Sequence, residues 1–308
     1  MEVTIKQVEM EVWSQPEALR VAVGDAELPR LPDDSLLVGA GDSYAAAVAA
    51  SQISSLRVLA SDPLALLDMT GLGERDVCII SVSGRTRTNL KVAEMARMTG
   101  RSVTAVTAFR DSPLAALADE VVELPFKPAP RSPGMLSFTL SLLALLKITL
   151  PDFACDFRAA FDSAVDASRS FRVSKSEVTF LLGNWALYGV SIYGAAKVYE
   201  ILGRKAQAEQ VEQFGHMELF SLSRGDSVNI LSGLGLCKSE RQLHSELLKH
   251  RYSSGVIQAA GNTGVEKLFA SIFAVQLGIL REAETMRLKK PSFLRSPSAL
   301  STSDAVIY

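Results

Sequence analysis

The sequence is poor in cysteine: Cys78, Cys155 and Cys237 are widely separated in 308 residues, with no C-x-x-C pair and no histidine beside them. Neither a disulfide framework nor a zinc site is expected from that spacing, and no other cluster of metal ligands stands out. An excess of basic charge is also missing, since 32 Lys plus Arg face 34 Asp plus Glu, a net charge of -2. Binding a nucleic-acid backbone requires clustered positive charge that displaces counterions, so no nucleic-acid partner is expected. Long apolar runs are absent too. The longest, residues 138–150, is interrupted by Lys147 and falls short of the ~20 residues a membrane span needs. The N-terminal stretch MEVTIKQVEMEVW alternates apolar and charged residues, unlike a secretory signal, which has a basic start and an apolar core. These absences lead us to expect a cytoplasmic protein with no membrane partner.

What remains is an ordinary globular composition, 48% hydrophobic and 21% charged, long enough for about two domains of roughly 150 residues. Short apolar runs that stop at Gly or Ser alternate with longer stretches of helical period, which is the pattern of repeated βαβ units and a parallel sheet. Residues 35–38 (SLLV) read as a buried strand and 43–55 as an Ala-rich helix. The scheme repeats with strands at 76–81, 102–107 and 120–124, a helix at 88–99, a helix start at Asp111 to Pro113, and an apolar helix ending near Leu150. After Pro151 an amphipathic helix is expected to cross between domains. The scheme then starts again with strands at 178–182, 227–231 and 255–260 and helices ending near Leu202, His250 and Met286. The strand ends at Gly39 and Gly183 are 144 positions apart, which suggests two similar halves. The expected fold class is α/β, with a flavodoxin-like parallel sheet flanked by helices in each half. The expected domains are 1–155 and 156–290, followed by a Ser- and Pro-rich tail, 291–308, that wraps a surface or stays mobile.

Two strand-to-helix loops of the first half have unusual composition: GAGDS at 39–43 and SVSGRT at 81–86. In a parallel sheet both lie at carboxyl ends of strands, where ligands bind. Gly41 and Gly84 let the backbone approach a ligand, while Ser43, Ser81, Ser83 and Thr86 offer hydroxyl donors. The helix N-termini behind them add unpaired N–H groups. Such loops suit a phosphate monoester, with Arg85 and Arg87 either adding charge or simply solvated. The same hydroxyls could instead serve only as helix N-caps. Neither loop matches the P-loop or the full dinucleotide fingerprint.

The pair of loops, one βα unit apart, resembles the phosphosugar-binding loops of the sugar isomerase (SIS) domain family. The segment GNWALYGVSIYGAAKVYEI at 183–201 is similar to the part of the isomerase domain of glucosamine-6-phosphate synthase that carries its catalytic Lys-x-x-Glu, here Lys197 and Glu200. His216 follows Glu200 by 16 positions, the spacing in that synthase and in archaeal-type bifunctional phosphoglucose/phosphomannose isomerases. Ala129 to Arg131 resembles the bifunctional isomerases, whose arginine stabilises an anionic intermediate. The synthase's HGP is replaced by His216, Met217 and Glu218, and its amidotransferase domain has no counterpart here, so a complete glutamine-dependent synthase is not expected.

The resemblance implies two SIS subdomains, no cofactor and no metal, and aldose-ketose isomerisation of a hexose 6-phosphate through a cis-enediol. Glu200 would move the proton between C1 and C2, as a partly buried carboxylate can. Lys197, on the same helix face, would hold Glu200 ionised or touch the substrate, unless the two form only a surface ion pair. His216 would open the sugar ring, histidine being the side chain that titrates near neutrality. Arg131 would stabilise the enediolate. In relatives the histidine reaches the neighbouring subunit, which implies a homodimer with a shared site. His244 and His250 lie on a charged helical stretch and are expected to be solvated. Glu209, Glu212 and Glu218 could orient His216, bind a sugar hydroxyl, or form a solvated face. Two alternatives stay open: an aminosugar-6-phosphate deaminase, favoured by Lys197, and a non-catalytic sugar-phosphate-binding regulator.

Overall fold

The first strand of the chain is built from residues with no polar side-chain atoms, and its backbone groups pair with the strands on either side. Leu36, Leu37 and Val38 are buried and run into Gly39, where the chain turns. A computed structural model describes residues 3–24, 28–150, 152–234 and 238–308. In chain order the elements are α1 (Ile5–Gly24), β1 (Leu36–Gly39), α2 (Asp42–Ile53), β2 (Leu59–Ser61) and the short α3 (Pro63–Ala65), which runs into a π turn at Leu66–Thr70. Next come β3 (Val77–Ile80), α4 (Arg87–Met98), β4 (Val103–Thr107), α5 (Pro113–Leu117), β5 (Glu120–Glu123) and α6 (Leu136–Thr149). The later part of the chain contains α7 (Phe157–Ala167), β6 (Val178–Leu182), α8 (Ala186–Lys197) with a π turn at Val198–Leu202, β7 (Lys205–Glu209) and α9 (Val211–His216). It ends with β8 (Ser227–Ser232), α10 (Lys238–Lys249), β9 (Ser253–Gln258), α11 (Gly264–Thr285) and α12 (Pro297–Ile307).

Both sheets are parallel throughout. One has the order β2-β1-β3-β4-β5 and the other β7-β6-β8-β9. The first is the flavodoxin-like order, with its switch point between β1 and β3, and the second is the same order without a fifth strand. The α/β doubly wound fold class expected from the alternating pattern is therefore borne out. Strands this apolar are stable only when covered on both faces. In the five-strand sheet Val38, Val77, Ile79, Val103 and Ala105 pack with Val92, Ala93 and Ala96 of α4.

Each sheet belongs to one of two compact units, and neither unit is a continuous stretch of chain. The five-stranded unit holds residues 18–130, 136–153 and 297–308; the four-stranded unit holds those up to 17, 131–135 and 154–296. A cut at 155 would leave residues up to 17 and 131–135 with the other sheet, and one at 290 would part residues 297–308 from the five-stranded unit. Helix α7 does not cross between domains as its amphipathic pattern suggested. It stays in the four-stranded unit, where Phe157 and Phe161 pack against Phe269 and Phe273 of α11, with ring centroids 4.9 and 5.2 Å apart. The Ser- and Pro-rich tail is largely helical, because Pro297 fits a first turn that needs no N–H donor. Among the described residues Cys78 and Cys155 are free thiols, and burial pushes both up to about 12; Cys237 lies outside the described residues. No described helix is long and apolar enough to cross a membrane.

Candidate functional site

In the five-stranded unit the two singled-out loops leave neighbouring strands, β1 and β3, on either side of the switch point. The first loop is shaped by Gly41, whose φ of 58° and ψ of -125° suit glycine, and it delivers Ser43 to the first turn of α2. The second loop is pinned from within. Ser81, buried, accepts from the Gly84 N–H at 3.1 Å, and its Oγ lies 3.4 Å from Thr86 Oγ1. Ser83 Oγ accepts from the Arg85 N–H at 3.3 Å. Gly84 has φ 62°, and a Cβ there would fall 2.2 Å from Ser112 Oγ, so the loop lies directly on the start of α5.

The hydroxyls do not act as simple N-caps. Thr86 occupies the N-cap position of α4 but its side chain makes no cap bond, and no side chain caps α2 either. Neither N-cap residue therefore caps its helix through a side chain, while Ser81 holds the loop backbone. Two such termini at adjacent strand ends can receive an anion with several oxygens. Of the two arginines, Arg87 turns to α12, donating through Nε to Tyr308 O at 2.5 Å and through Nη2 to Ala305 O at 3.4 Å. Beneath the second loop, buried Asn89 donates to Ile80 O at 3.3 Å while its Oδ1 has no partner.

The other candidates belong to the four-stranded unit. Lys197 ends α8 fully buried, and Glu200 lies in the π turn that follows, its side chain 36% exposed. Lys197 Nζ donates to Glu200 Oε2 at 2.5 Å, which is not the surface ion pair the i,i+3 spacing allowed. The ammonium also stands 5.3 Å over the Tyr193 ring. Tyr193 is fixed in turn: its OH donates to Met135 Sδ at 3.2 Å and accepts from Gln276 Nε2 at 2.9 Å, and Gln276 accepts from Gln15 at 2.9 Å. A buried polar chain thus sets the lysine, and the lysine sets the carboxylate. Insertions of the π type recur at functional sites, where they re-aim side chains.

His216 closes α9 with its ring 71% exposed, and Nε2 lies 3.2 Å from Glu212 Oε1. Glu218 receives a hydrogen bond from Gln207 at 2.7 Å, and its second oxygen is buried without a partner. Arg131 is exposed, with left-handed φ 57°. His244 is half-buried with Nδ1 2.9 Å from Ser254 Oγ, which corrects the expectation of a solvated ring; its neighbour strand β9 covers it. Among the described residues no group of three or more His, Cys, Asp or Glu side chains could hold a metal ion.

No family model and no curated protein matches the sequence. Solved structures do match. Glucosamine-6-phosphate deaminase from Thermotoga maritima superposes with a TM-score of 0.74 at 19% identity, covering 92% of this chain and 95% of that one. The C-terminal domain of glucosamine-fructose-6-phosphate aminotransferase from Francisella tularensis gives 0.71 at 15% identity, over 92% and 98%. The chain has the double-SIS fold. Tagatose-6-phosphate ketose/aldose isomerase from Escherichia coli is also similar, with a TM-score of 0.70 at 17% identity over 91% and 92%. The residues that hint at chemistry within this SIS fold are then those already described, and sequence reading missed the Gln15–Gln276–Tyr193 chain behind Lys197. Its members are 261 and 83 positions apart, so no local pattern could reveal it.

Proposed function

We propose that the chain binds a hexose 6-phosphate through the loops at 39–43 and 81–86 and isomerises it between aldose and ketose forms. The observation that carries the binding part is the pair of helix N-termini, α2 and α4, left without side-chain caps at adjacent strand ends. Ser43, Ser83 and Thr86 donate to the phosphate, Ser81 supports the loop, and Gly41 and Gly84 keep its backbone close. The similar deaminase, aminotransferase domain and ketose/aldose isomerase all carry a hexose 6-phosphate or its amino analogue in their names, which agrees with this reading.

For the chemical step, Glu200 takes a proton from C1 of the ketose as the C2 carbonyl oxygen gains one to give the enediol; the carbon-bound proton then returns at C2 while O1 gives up its own, so that one proton moves from C1 to C2 and one from O1 to O2. Nothing is oxidised overall. Lys197 Nζ, donating to Glu200 Oε2 at 2.5 Å, holds the carboxylate in position. His216 transfers the ring-opening proton, and Arg131 faces the developing negative charge. No cofactor or metal enters the scheme. A homodimer that lends His216 to a neighbour's site belongs to the same proposal, as does a cytoplasmic location.

The reading is tested with a panel of hexose and hexosamine 6-phosphates, detecting both sugar products and ammonia. Glu200→Gln should lower turnover by a factor of about 10² or more while leaving binding intact; unchanged turnover on every sugar would remove Glu200 from the mechanism. Ser83→Ala should weaken phosphorylated sugars and spare the fold. A second reading, aminosugar-6-phosphate deamination, is favoured by the buried Lys197 beside the carboxylate, and release of ammonia from glucosamine 6-phosphate would select it. If the chain binds these sugars without turning any over, it is a sugar-phosphate-binding regulator.

A further inference from the structure

At the switch point of the four-stranded sheet the loops are tied to one another. Asn184, after β6, donates to buried Glu240 in the first turn of α10 at 3.2 Å and accepts from the Val211 N–H at the start of α9 at 3.2 Å. The chain's own side chains thus bridge the place where an open parallel sheet takes a ligand. Open space lies one strand further on. A cavity of about 380 Å³ stands at the carboxyl ends of β8 and β9, lined by Gly233, Gln258, Ala259, Ala260, Gly261 and Lys267. That volume suits a small molecule.

The walls are fixed by bonds that leave the polar side chains of the lining unused. The loop after β9 is pinned where the Ala260 N–H donates to Ser163 Oγ of α7 at 2.8 Å and Thr263 Oγ1 donates to Ala154 O at 3.2 Å. Gly261 brings that loop onto α11, since a Cβ there would fall 2.8 Å from Glu266 Cβ and 2.9 Å from Lys267 N. Gly233, with φ 131°, lets the loop after β8 approach β9, where its Cβ would lie 3.3 Å from Ala259 O. Lys267 is half-buried, and among the described residues its ammonium has no hydrogen bond and no ion pair. The carboxylate next to it in the chain is engaged elsewhere, because Glu266 accepts from the Asp156 and Asn262 N–H groups, one on each oxygen, at 3.1 and 2.5 Å. The exposed Gln258 amide also has no partner among the described residues. A compact positive charge and a neutral amide, in a preformed concavity whose described lining holds no carboxylate, select an anion that carries further polar groups.

We propose that this cavity is a second anion site, built from different residues than the loops at 39–43 and 81–86, which takes the phosphate or carboxylate end of a small metabolite on Lys267 and its polar remainder on Gln258. The site is independent of the phosphosugar reading. Inorganic phosphate and citrate probe the two anion chemistries, followed through the amide resonances of the full chain. One or both should shift the amides of residues 258–261 and 267 saturably, while those of 39–43 and 81–86 report the loops separately. Lys267→Met should weaken the response at 258–267 about tenfold and leave Tm and the response of the loops unchanged. Lys267→Arg, which keeps the charge, should retain most of the affinity. If neither anion shifts 258–267, if sodium chloride of equal ionic strength reproduces the shifts, or if Lys267→Met responds like the unaltered chain, the site is refuted. A phosphate response confined to 39–43 and 81–86 refutes the cavity and leaves the phosphosugar reading standing; one confined to 258–267 upholds the cavity and counts against the loops.

Discussion

Gly84 combines the two reasons a position can demand glycine, a left-handed φ of 62° and no room for a Cβ, which would fall 2.4 Å from Ser112 Cβ as well as 2.2 Å from its Oγ. The Gly84 carbonyl also receives the Leu114 N–H at 3.0 Å, so the loop cannot lift away without giving up a bond to α5. Gly84→Ala should therefore destabilise by about 2–4 kcal/mol, from the backbone conformation together with overpacking. Phosphosugar binding should fall with it, and urea titration beside calorimetry would check both. Gly41, which has the same sign of φ but open space around it, should lose only about 1 kcal/mol on substitution by alanine. At this scale the sequence was legible where chemistry is local. The glycines and hydroxyls of 81–86 could be picked out from their order alone. Lys197 and Glu200 could be paired by spacing, but the depth of the lysine depends on Tyr193, Gln276 and Met135, which come from distant parts of the chain.

At the scale of elements, buried strands and amphipathic helices were readable because their periods are local, and β6 at Val178–Leu182 coincides with its expected range. The strands β2 and β7 were not. β2 has three half-buried residues, and β7 alternates Lys205, Ala206, Gln207, Ala208 and Glu209, an edge-strand pattern that carries little hydrophobic signal. Helix α11 shows how a terminus is secured. Thr263 Oγ1 accepts from the Glu266 N–H at 3.1 Å, while Glu266 accepts from Asp156 N–H at 3.1 Å and from Asn262 N–H at 2.5 Å. Those backbone donors, Asp156 first, hold the Glu266 carboxyl below its ordinary value of 4.5. A carboxyl lowered in the folded state stabilises fully above its unfolded value and loses that contribution as pH falls through the folded one. Tm of the unaltered chain should thus drop more steeply below about pH 4.5 than that of Glu266→Gln. At neutral pH the variant should be less stable by about 1 kcal/mol. Helix α12 is the opposite case. It has no buried residue, and Arg87 reaches the carbonyls of Ala305 and Tyr308. Arg87→Ala should speed amide hydrogen exchange across residues 300–308 and leave β3 and β4 protected.

The whole molecule is two cores threaded by one chain, and the crossing segments decide what can stand alone. A fragment cut at the apparent repeat, residues 156–290, contains all of the four-stranded sheet yet lacks the beginning of α1 and residues 131–135. Those pieces are structural. Trp13 packs on Phe161 with ring centroids 5.1 Å apart, and Gln15 bonds to buried Gln276 at 2.9 Å. Met135, fully buried, takes the Tyr193 hydroxyl on its sulfur, and its carbonyl takes Gln276 Nε2 at 3.4 Å. Removing buried Met135 forfeits about 1.5–3 kcal/mol, the half-exposed Trp13 indole contributes less, and leaving Gln276 and Tyr193 unsatisfied adds about 1–3 kcal/mol apiece. The sum approaches the ~5–15 kcal/mol that stabilises a whole domain. The fragment should therefore lack a cooperative thermal transition and show poorly dispersed amide resonances. Adding back a chain that supplies residues 3–17 and 131–135, linked through the five-stranded unit, should restore both. A fragment 156–290 that melts cooperatively on its own would show that the threading is dispensable and that each half folds from its continuous sequence.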